Sequence, residues 1–117
     1  MENTIMIDGK AVKFRATAAV PRLYRIKFRR DIIQDMQEIQ KSLEKAQKGD
    51  ETMGPKALEM FENVAYIMAK HADKDNVPET PDEWLEEFNT FSIYEVFPKI
   101  IELWGLNMEG MSTSKKK

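Results

Sequence analysis

The stretch PRLYRIKFRRDIIQDMQEIQKSLEK, residues 21–45, decides the fold class of this chain. Its apolar residues recur at steps of three or four positions, which is the spacing of one face of an α-helix: Tyr24, Phe28, Ile32, Met36, Ile39 and Leu43. Pro21 suits the first turn of such a helix, because proline has no N–H to donate. The pattern therefore predicts one long amphipathic helix over about residues 18–47.

The segment before this helix, TIMIDGKAVKFR, predicts a β-hairpin over residues 4–15. Ile5 and Ile7 alternate with more polar positions, as they do in a strand with one buried face. Asp8-Gly9 supplies the two positive-φ positions that a type I′ turn needs. A lone two-stranded ribbon is marginal in water. We therefore expect the hairpin to pack on helices or to extend the sheet of a neighbouring subunit.

Three further helices are predicted after QKGDETMGP, where two glycines and a proline interrupt the helical pattern. They cover about residues 55–72, 81–90 and 92–104. Pro55 suits the first position of the first of them. Pro98 falls inside the last, so we expect a kink there or a late start.

Two of these helices carry terminal signals. Thr80 is expected to cap the 81–90 helix, with Glu83 completing a capping box three residues later. Gly105 is a suitable C-terminal stop for the last helix. No periodic pattern follows, which predicts a flexible tail over residues 109–117.

The predicted fold is a single α+β domain, mostly α, over residues 1–108. It consists of an N-terminal β-hairpin followed by three to four amphipathic helices and a disordered C-terminal tail. A length of 117 residues supports one domain. Hydrophobic residues make up 42% and charged residues 32%, which is typical of a globular protein.

Composition also narrows the chemistry. The chain has no cysteine, which removes disulfides and thiolate metal sites and fits a reducing cytoplasm. Its uncharged stretches are too short to cross a membrane, and its first residues do not follow the pattern of a secretory signal. His71 is the single histidine, and HADKD matches no metal-ligand spacing. No glycine-rich phosphate loop is present, so we expect neither an enzyme nor a cofactor or metal.

Charge is distributed unevenly along the chain, whose net charge is −2. Residues 10–30 contain eight basic side chains and no acidic one, whereas residues 79–102 contain seven acidic side chains against Lys99. Such a molecule can pair with itself or dock on a charged partner. The alternative is that both segments are solvated faces.

The basic segment raises the question of nucleic-acid binding. Tyr24 and Phe28 lie among its arginines and could stack on bases. Both residues also belong to the apolar stripe, and a pI of about 5.5 lacks the basic excess typical of such domains. A nucleic-acid-binding regulator that uses residues 10–30 is therefore the alternative function, and nucleic acid is the less favoured partner.

The chain as a whole resembles the tail assembly chaperones of long-tailed bacteriophages and prophages of Gram-positive bacteria. The resemblance covers about residues 5–117. Its most specific parts are Ala-Thr-Ala-Ala-x-Pro-Arg-x-Tyr-Arg, from Ala16 to Arg25, and Trp-Leu-x-x-Phe…Ile-Tyr-Glu, from Trp84 to Glu95.

This resemblance implies a non-enzymatic protein in the cytoplasm of the bacterial host that is missing from the mature virion. It implies that the chain binds the tape measure protein, a long helical client, and keeps it soluble during tail assembly. It also implies a longer, frameshifted product that recruits the major tail tube protein. Three AAA codons for Lys115–Lys117 would provide the slippery run of bases for that shift, whereas the plain alternative is a basic tail.

A client surface and self-association are expected as well. A protein that covers an exposed helical stripe needs an apolar surface of its own, and eight methionines suit a surface that accepts varied side chains. We expect head-to-tail self-association through the two charged segments. The candidate partner-binding residues lie on the second and fourth predicted helices: Met60, Ile67, Phe97, Ile101 and Trp104. Tyr24, Arg25 and Phe28 on the first predicted helix are the alternative surface.

Overall fold

Seven elements follow one another along the chain. The computed structural model describes the backbone of residues 2–49 and 53–116, and the side chains of residues 2–49 and 53–104. Its elements are two strands, β1 (Glu2–Ile7) and β2 (Lys10–Arg15), followed by the helices α1 (Val20–Phe28), α2 (Ile32–Gln47), α3 (Pro55–Ala72), α4 (Pro81–Leu85) and α5 (Ile93–Lys116). The predicted α+β class, with a hairpin before a mostly helical chain, is confirmed.

The hairpin forms as its turn sequence predicts. Asp8 and Gly9 both have positive φ, at 54° and 77°, and Ile7 pairs with Lys10 across the two-residue turn. Ile5 and Ile7 are buried with Phe14 on the inner face. β2 packs on α3 and β1 contacts α5, so the ribbon gains the apolar cover that it lacks alone.

The single helix predicted over residues 18–47 is instead two helices, α1 and α2. Arg29 adopts a left-handed conformation with φ 60° and ends α1. Asp31 then caps α2, because its side chain accepts a hydrogen bond from the Ile33 N–H. The apolar stripe stays almost wholly buried, because both helices lay it against α3. A continuous stripe therefore does not require a continuous helix.

A cluster around the buried carboxylate of Asp35 holds the corner between these two helices, with Arg30 reaching it from the surface. The Tyr24 hydroxyl donates to Asp35 Oδ2 at 2.6 Å. Arg30 donates to both Asp35 oxygens at 2.8 Å in a forked arrangement. Burial alone would raise the pKa of Asp35, but the hydrogen bonds from Arg30 and Tyr24 outweigh it and lower that pKa. Burial and the bond to Asp35 raise the pKa of Tyr24 in turn, so the pair stays a phenol and a carboxylate.

α3 lies at the centre of the fold and contacts β2, α1, α2, α4 and α5. Its buried residues lie on several sides of the helix, which is expected of a helix packed on more than one face. Trp84 from α4 fills one end of the core and packs edge-on against the rings of Phe14, Tyr66, Phe88 and Phe91.

α4 begins as predicted but is shorter than the expected 81–90, because it ends at Leu85. The Glu83 N–H donates to Thr80 Oγ1 at 3.2 Å, which confirms Thr80 as the N-cap. The Thr80 hydroxyl in turn donates to Glu83 Oε1 at 3.0 Å. Phe88 and Phe91 follow the helix and pack on Trp84 as part of a loop. The spacing of Trp84, Phe88 and Phe91 in the sequence resembles a helical repeat, which is why the predicted helix was too long.

α5 differs from its predicted bounds of 92–104. It begins at Ile93 with Pro98 inside it, so the start is not delayed, and its helical backbone continues past Gly105 to Lys116. A glycine costs a helix only about 1 kcal/mol and does not block it. The flexibility predicted for residues 109–117 stays a prediction, since their side chains, and all of Lys117, lie outside the described residues.

Candidate partner-binding surface

Most of the residues predicted to bind a partner lie in the core instead. Tyr24, Met60, Ile67, Phe97 and Trp104 are all buried. Phe28 and Ile101 are partly buried, and Arg25 is exposed on α1. The buried members stabilise the domain, so direct contact with a partner is open mainly to Arg25, Phe28 and Ile101. Core and partner-facing stripes share one helical spacing, which is why the sequence does not separate them.

Large apolar side chains that the sequence did not single out are exposed. Among the described residues, Met6, Ile26 and Tyr94 are more than half exposed, at 56%, 63% and 53%. Ile26 lies off the apolar stripe of α1, with Arg22, Arg25 and Lys27 as its polar neighbours in sequence. An isoleucine on an otherwise basic helix face was the signal that could have pointed to it.

Ile26 borders an open groove between α1 and α3. This depression has a volume of about 430 Å³. Its apolar walls come from Leu23 and Ile26 on α1 and from Tyr66 and Ile67 on α3. Ile67 is the one predicted partner residue that lines this groove. We call this depression the α1–α3 groove.

The groove has a cationic rim. Lys27, Lys70, His71 and Lys74 line it against the single carboxylate of Glu79. Lys70 Nζ lies 3.0 Å from Glu79 Oε2, and this hydrogen bond lowers the pKa of the Glu79 carboxyl. The rim therefore keeps an excess of positive charge.

Two of the rim lysines also hold the loop that follows α3. Lys70 Nζ donates to the carbonyls of Lys74 and Val77 at 2.9 and 2.6 Å. Lys27 Nζ donates to the Glu79 carbonyl at 2.7 Å and lies 5.6 Å from the centre of the Tyr66 ring. The groove is therefore formed by fixed elements before any partner arrives.

His71 lies at the end of the groove and joins α3 to the segment before α1. Its Nε2 shares a hydrogen bond of 2.9 Å with Thr17 Oγ1, and its Nδ1 is buried with no partner among the described residues. Burial lowers the pKa of His71 below its ordinary value of 6.5, and the charges of Arg15 and Lys74 act in the same direction. The imidazole is thus held neutral and serves as a packed structural contact.

The outer face of α1 carries arginines without acidic partners. Arg22, Arg25 and Arg29 are exposed. Among the described residues they make no side-chain hydrogen bond or ion pair, unlike Arg15 and Arg30. Arg22 is four positions before Ile26 on α1, so it lies on the side of the helix that exposes Ile26, whereas Arg29 directly follows the helix.

The acidic segment also faces outward. Its carboxylates are all exposed: Glu79, Asp82, Glu83, Glu86, Glu87, Glu95 and Glu102. The two charged segments nevertheless meet within one chain. Lys10 Nζ donates to the Glu87 carbonyl, and the Asp8 carboxylate accepts from the Asn89 N–H at 2.9 Å. These contacts use backbone atoms of the acidic segment. Of its carboxylates, Glu79 is paired with Lys70 and Glu83 accepts from Thr80, whereas the others are exposed and available.

A second apolar depression lies between α2 and α5, with a volume of about 370 Å³. Met36, Ile101 and the stems of Gln37, Gln40 and Lys41 line it. Ile101, a predicted partner residue, thus contributes to a shallow surface of its own. This depression has a single charged residue, which gives it less means of selecting a partner than the α1–α3 groove.

Two kinds of site were also sought in the part of the chain that the structure describes. No group of three or more acidic or histidine side chains there could hold a metal ion. No described helix is both long enough and apolar enough to cross a bilayer. The α1–α3 groove is the principal candidate site because it combines apolar walls, the exposed Ile26 and a basic rim.

Comparison of the chain with known protein families, with characterised proteins and with solved structures finds no match in any of the three. No relative therefore supplies a function for this chain. The features from which a function can be proposed are those of the chain itself: the sequence segments quoted above, the α1–α3 groove with its rim, and the exposed Ile26.

Proposed function

We propose that this protein is a tail assembly chaperone of a long-tailed bacteriophage or prophage. In this role it binds the tape measure protein in the cytoplasm of the bacterial host and keeps it soluble until tail tube subunits assemble around it. It performs no chemistry on the client. It leaves before the virion is mature.

The observation that carries the proposal is the exposed Ile26 beside a preformed apolar groove. A long amphipathic helix in solution exposes a stripe that aggregates unless another apolar surface covers it. An open groove between two helices suits such a stripe, because apolar side chains of a partner helix can seat between α1 and α3. The identity of the client is proposed from the resemblance of segments Ala16–Arg25 and Trp84–Glu95 to the tail assembly chaperones.

Self-association is part of the proposal, because a long client needs many chaperone copies along its length. The unpaired arginines of α1 and the exposed carboxylates of residues 79–102 are complementary surfaces on one chain. A contact between the two kinds of surface is head-to-tail and can repeat. A longer frameshifted product made at the Lys115–Lys117 codons would add the segment that recruits the major tail tube protein.

Co-expression with the tape measure protein encoded in the same genome tests the function. We expect the client to be insoluble alone, soluble with the chaperone, and retained with it through size-exclusion chromatography. A client that stays insoluble at every chaperone level would contradict the proposal. So would a gene neighbourhood without a long, helix-rich reading frame downstream, and lysine codons rich in AAG would remove the frameshift.

A nucleic-acid-binding regulator is the second candidate, and the unpaired arginines of α1 favour it. Arg22 and Arg25 on α1, with Arg29 directly after it, are exposed and could contact phosphates. Electrophoretic shift with duplex and single-stranded DNA separates the two functions. Phosphate-driven binding weakens steeply with salt, whereas the apolar contacts of a client helix persist when exposed charges are screened.

A further inference from the structure

We propose that the client docks in the α1–α3 groove, and that the segment this groove selects is an amphipathic helix with carboxylates beside its apolar stripe. The helical nature of the client rests on the proposed function. The location of the site and the acidic character of its partner follow from the residues of the groove. The predicted partner residues did not include Ile26, which is central to this site.

The apolar part of the site fits one side of a helix. α1 has nine residues, which is about 14 Å at 1.5 Å per residue and matches two to three turns of a helix laid beside it. Leu23 and Ile26 form one wall, and Ile67 lies on the other side beside the buried Tyr66. A partner helix presents side chains at spacings of three and four to such a groove.

The charge of the site selects acidic flanks. Lys74 on one rim and Arg22 beside Ile26 on the other are exposed and make no side-chain hydrogen bond or ion pair among the described residues. The single carboxylate in the groove, Glu79, is already bound by Lys70 at 3.0 Å. A helix with Glu or Asp next to its apolar stripe would supply the missing counter-charges, whereas one with Lys would meet like charge.

Hydrogen bonds also hold the loop beside the site, which favours binding. Lys27 and Lys70 tie the 73–79 loop to α1 and α3 through the hydrogen bonds described above. The Tyr66 hydroxyl donates to the Pro78 carbonyl at 2.6 Å. A groove that is already formed loses little conformational freedom when a partner binds.

A protein partner fits this site better than a nucleic acid. The exposed side chain at its centre is an isoleucine, which cannot stack on a base as an aromatic ring does. The Tyr66 ring is buried and covered by Lys27. The arginines therefore flank an aliphatic contact rather than a stacking platform.

The test uses the full chain and two synthetic helical peptides of about 18 residues, which is long enough to form a helix on a surface. Both carry the same leucine stripe, and the positions beside it are Glu in one peptide and Lys in the other. We expect the Glu peptide to bind about tenfold more tightly by fluorescence anisotropy in about 0.05 M NaCl. This preference should shrink in about 0.5 M NaCl, where exposed charges are screened.

Substitutions then locate the binding site. Ile26→Ser should lower the affinity for the Glu peptide about tenfold, or about 1.4 kcal/mol, because it removes the exposed apolar contact. Met6→Ser is the matched control, because Met6 is similarly exposed but lies on β1. This variant should bind the Glu peptide as tightly as the wild type. The double variant Arg22→Glu with Lys74→Glu should reverse the preference and bind the Lys peptide more tightly. A variant that failed to fold would bind both peptides more weakly, but it would not come to prefer the Lys peptide over the Glu peptide.

Four outcomes overturn the proposed site. The first is equal affinity for the two peptides. The second is that Met6→Ser weakens binding as much as Ile26→Ser does. The third is that a single-stranded oligonucleotide binds more tightly than the Glu peptide and depends on Arg22. The fourth is that Ile26→Ser changes the sedimentation coefficient and leaves peptide affinity unchanged. Those results assign the face to nucleic acid or to a second copy of this chain.

Failure of the site and failure of the function give different results. If the wild-type chain solubilises the tape measure protein and Ile26→Ser does so equally well, the function stands and the site is wrong. If the peptides behave as expected but the wild-type chain leaves the tape measure protein insoluble, the groove stands and its client is another acidic helix.

Discussion

Removing one hydroxyl from the Tyr24–Asp35–Arg30 cluster tests how the corner between α1 and α2 is held. The substitution is Tyr24→Phe, which keeps the ring and removes the 2.6 Å hydrogen bond to Asp35. Hydrogen bonds to charged groups contribute about 1.5–3 kcal/mol. Asp35 is buried but retains both hydrogen bonds from Arg30, so we expect the variant to lose about 2 kcal/mol.

Urea denaturation followed by circular dichroism measures this loss. With a slope of about 2 kcal/mol per molar urea, the midpoint should fall by about 1 M. The matched control is Tyr94→Phe, because Tyr94 is half exposed, and its effect should stay within about 0.5 kcal/mol. Asp35→Asn removes the charge of the acceptor. In that background, Tyr24→Phe should lower the free energy of unfolding by clearly less than it does in the wild type.

The cluster also predicts how stability depends on pH. The pKa of Asp35 is lower in the folded chain than its ordinary value of 3.8. The unfolded chain therefore binds the proton first, and the stabilisation is present above pH 3.8 and lost as pH falls toward the lowered folded value. The stability gap between wild type and Asp35→Asn should narrow from pH 5 to pH 3. An unchanged gap, or a Tyr24→Phe variant as stable as wild type, would refute this account of the corner.

Three further changes have outcomes that the structure sets. The pKa of His71 is lower in the folded chain than its ordinary value of 6.5, so the free energy of unfolding should decrease as pH falls below 6.5. This decrease should vanish in His71→Gln. Equal pH profiles for the two proteins would contradict the prediction. Thr80→Ala removes the cap on the Glu83 N–H and should cost about 1 kcal/mol in urea denaturation, while Thr80→Ser should restore most of it. Gly9→Ala places a side chain at φ 77° and should cost about 1 kcal/mol by the same assay; no loss would mean that the turn changes its type.

Local sequence determined the parts of this protein whose structure depends on a few neighbouring residues. Asp8-Gly9 specifies the hairpin turn because only certain residues tolerate positive φ. Pro55 and Thr80 mark the starts of α3 and α4 because each removes or satisfies an N–H that the helix leaves free. These features need no distant partner, so one segment was enough to predict them.

Tertiary packing decided where the stripe of residues 24–43 breaks and which apolar residues stay exposed. The corner after Phe28 depends on the buried Asp35 meeting Tyr24 and the exposed Arg30. Apolar residues at steps of three and four follow the same pattern with or without that corner. Ile67 and Ile26 differ only in what packs on them: Ile67 is 5% exposed and Ile26 is 63% exposed. Sequence alone determines that a side chain is apolar. Burial depends on the three-dimensional neighbours, and so does the position of the candidate surface on α1.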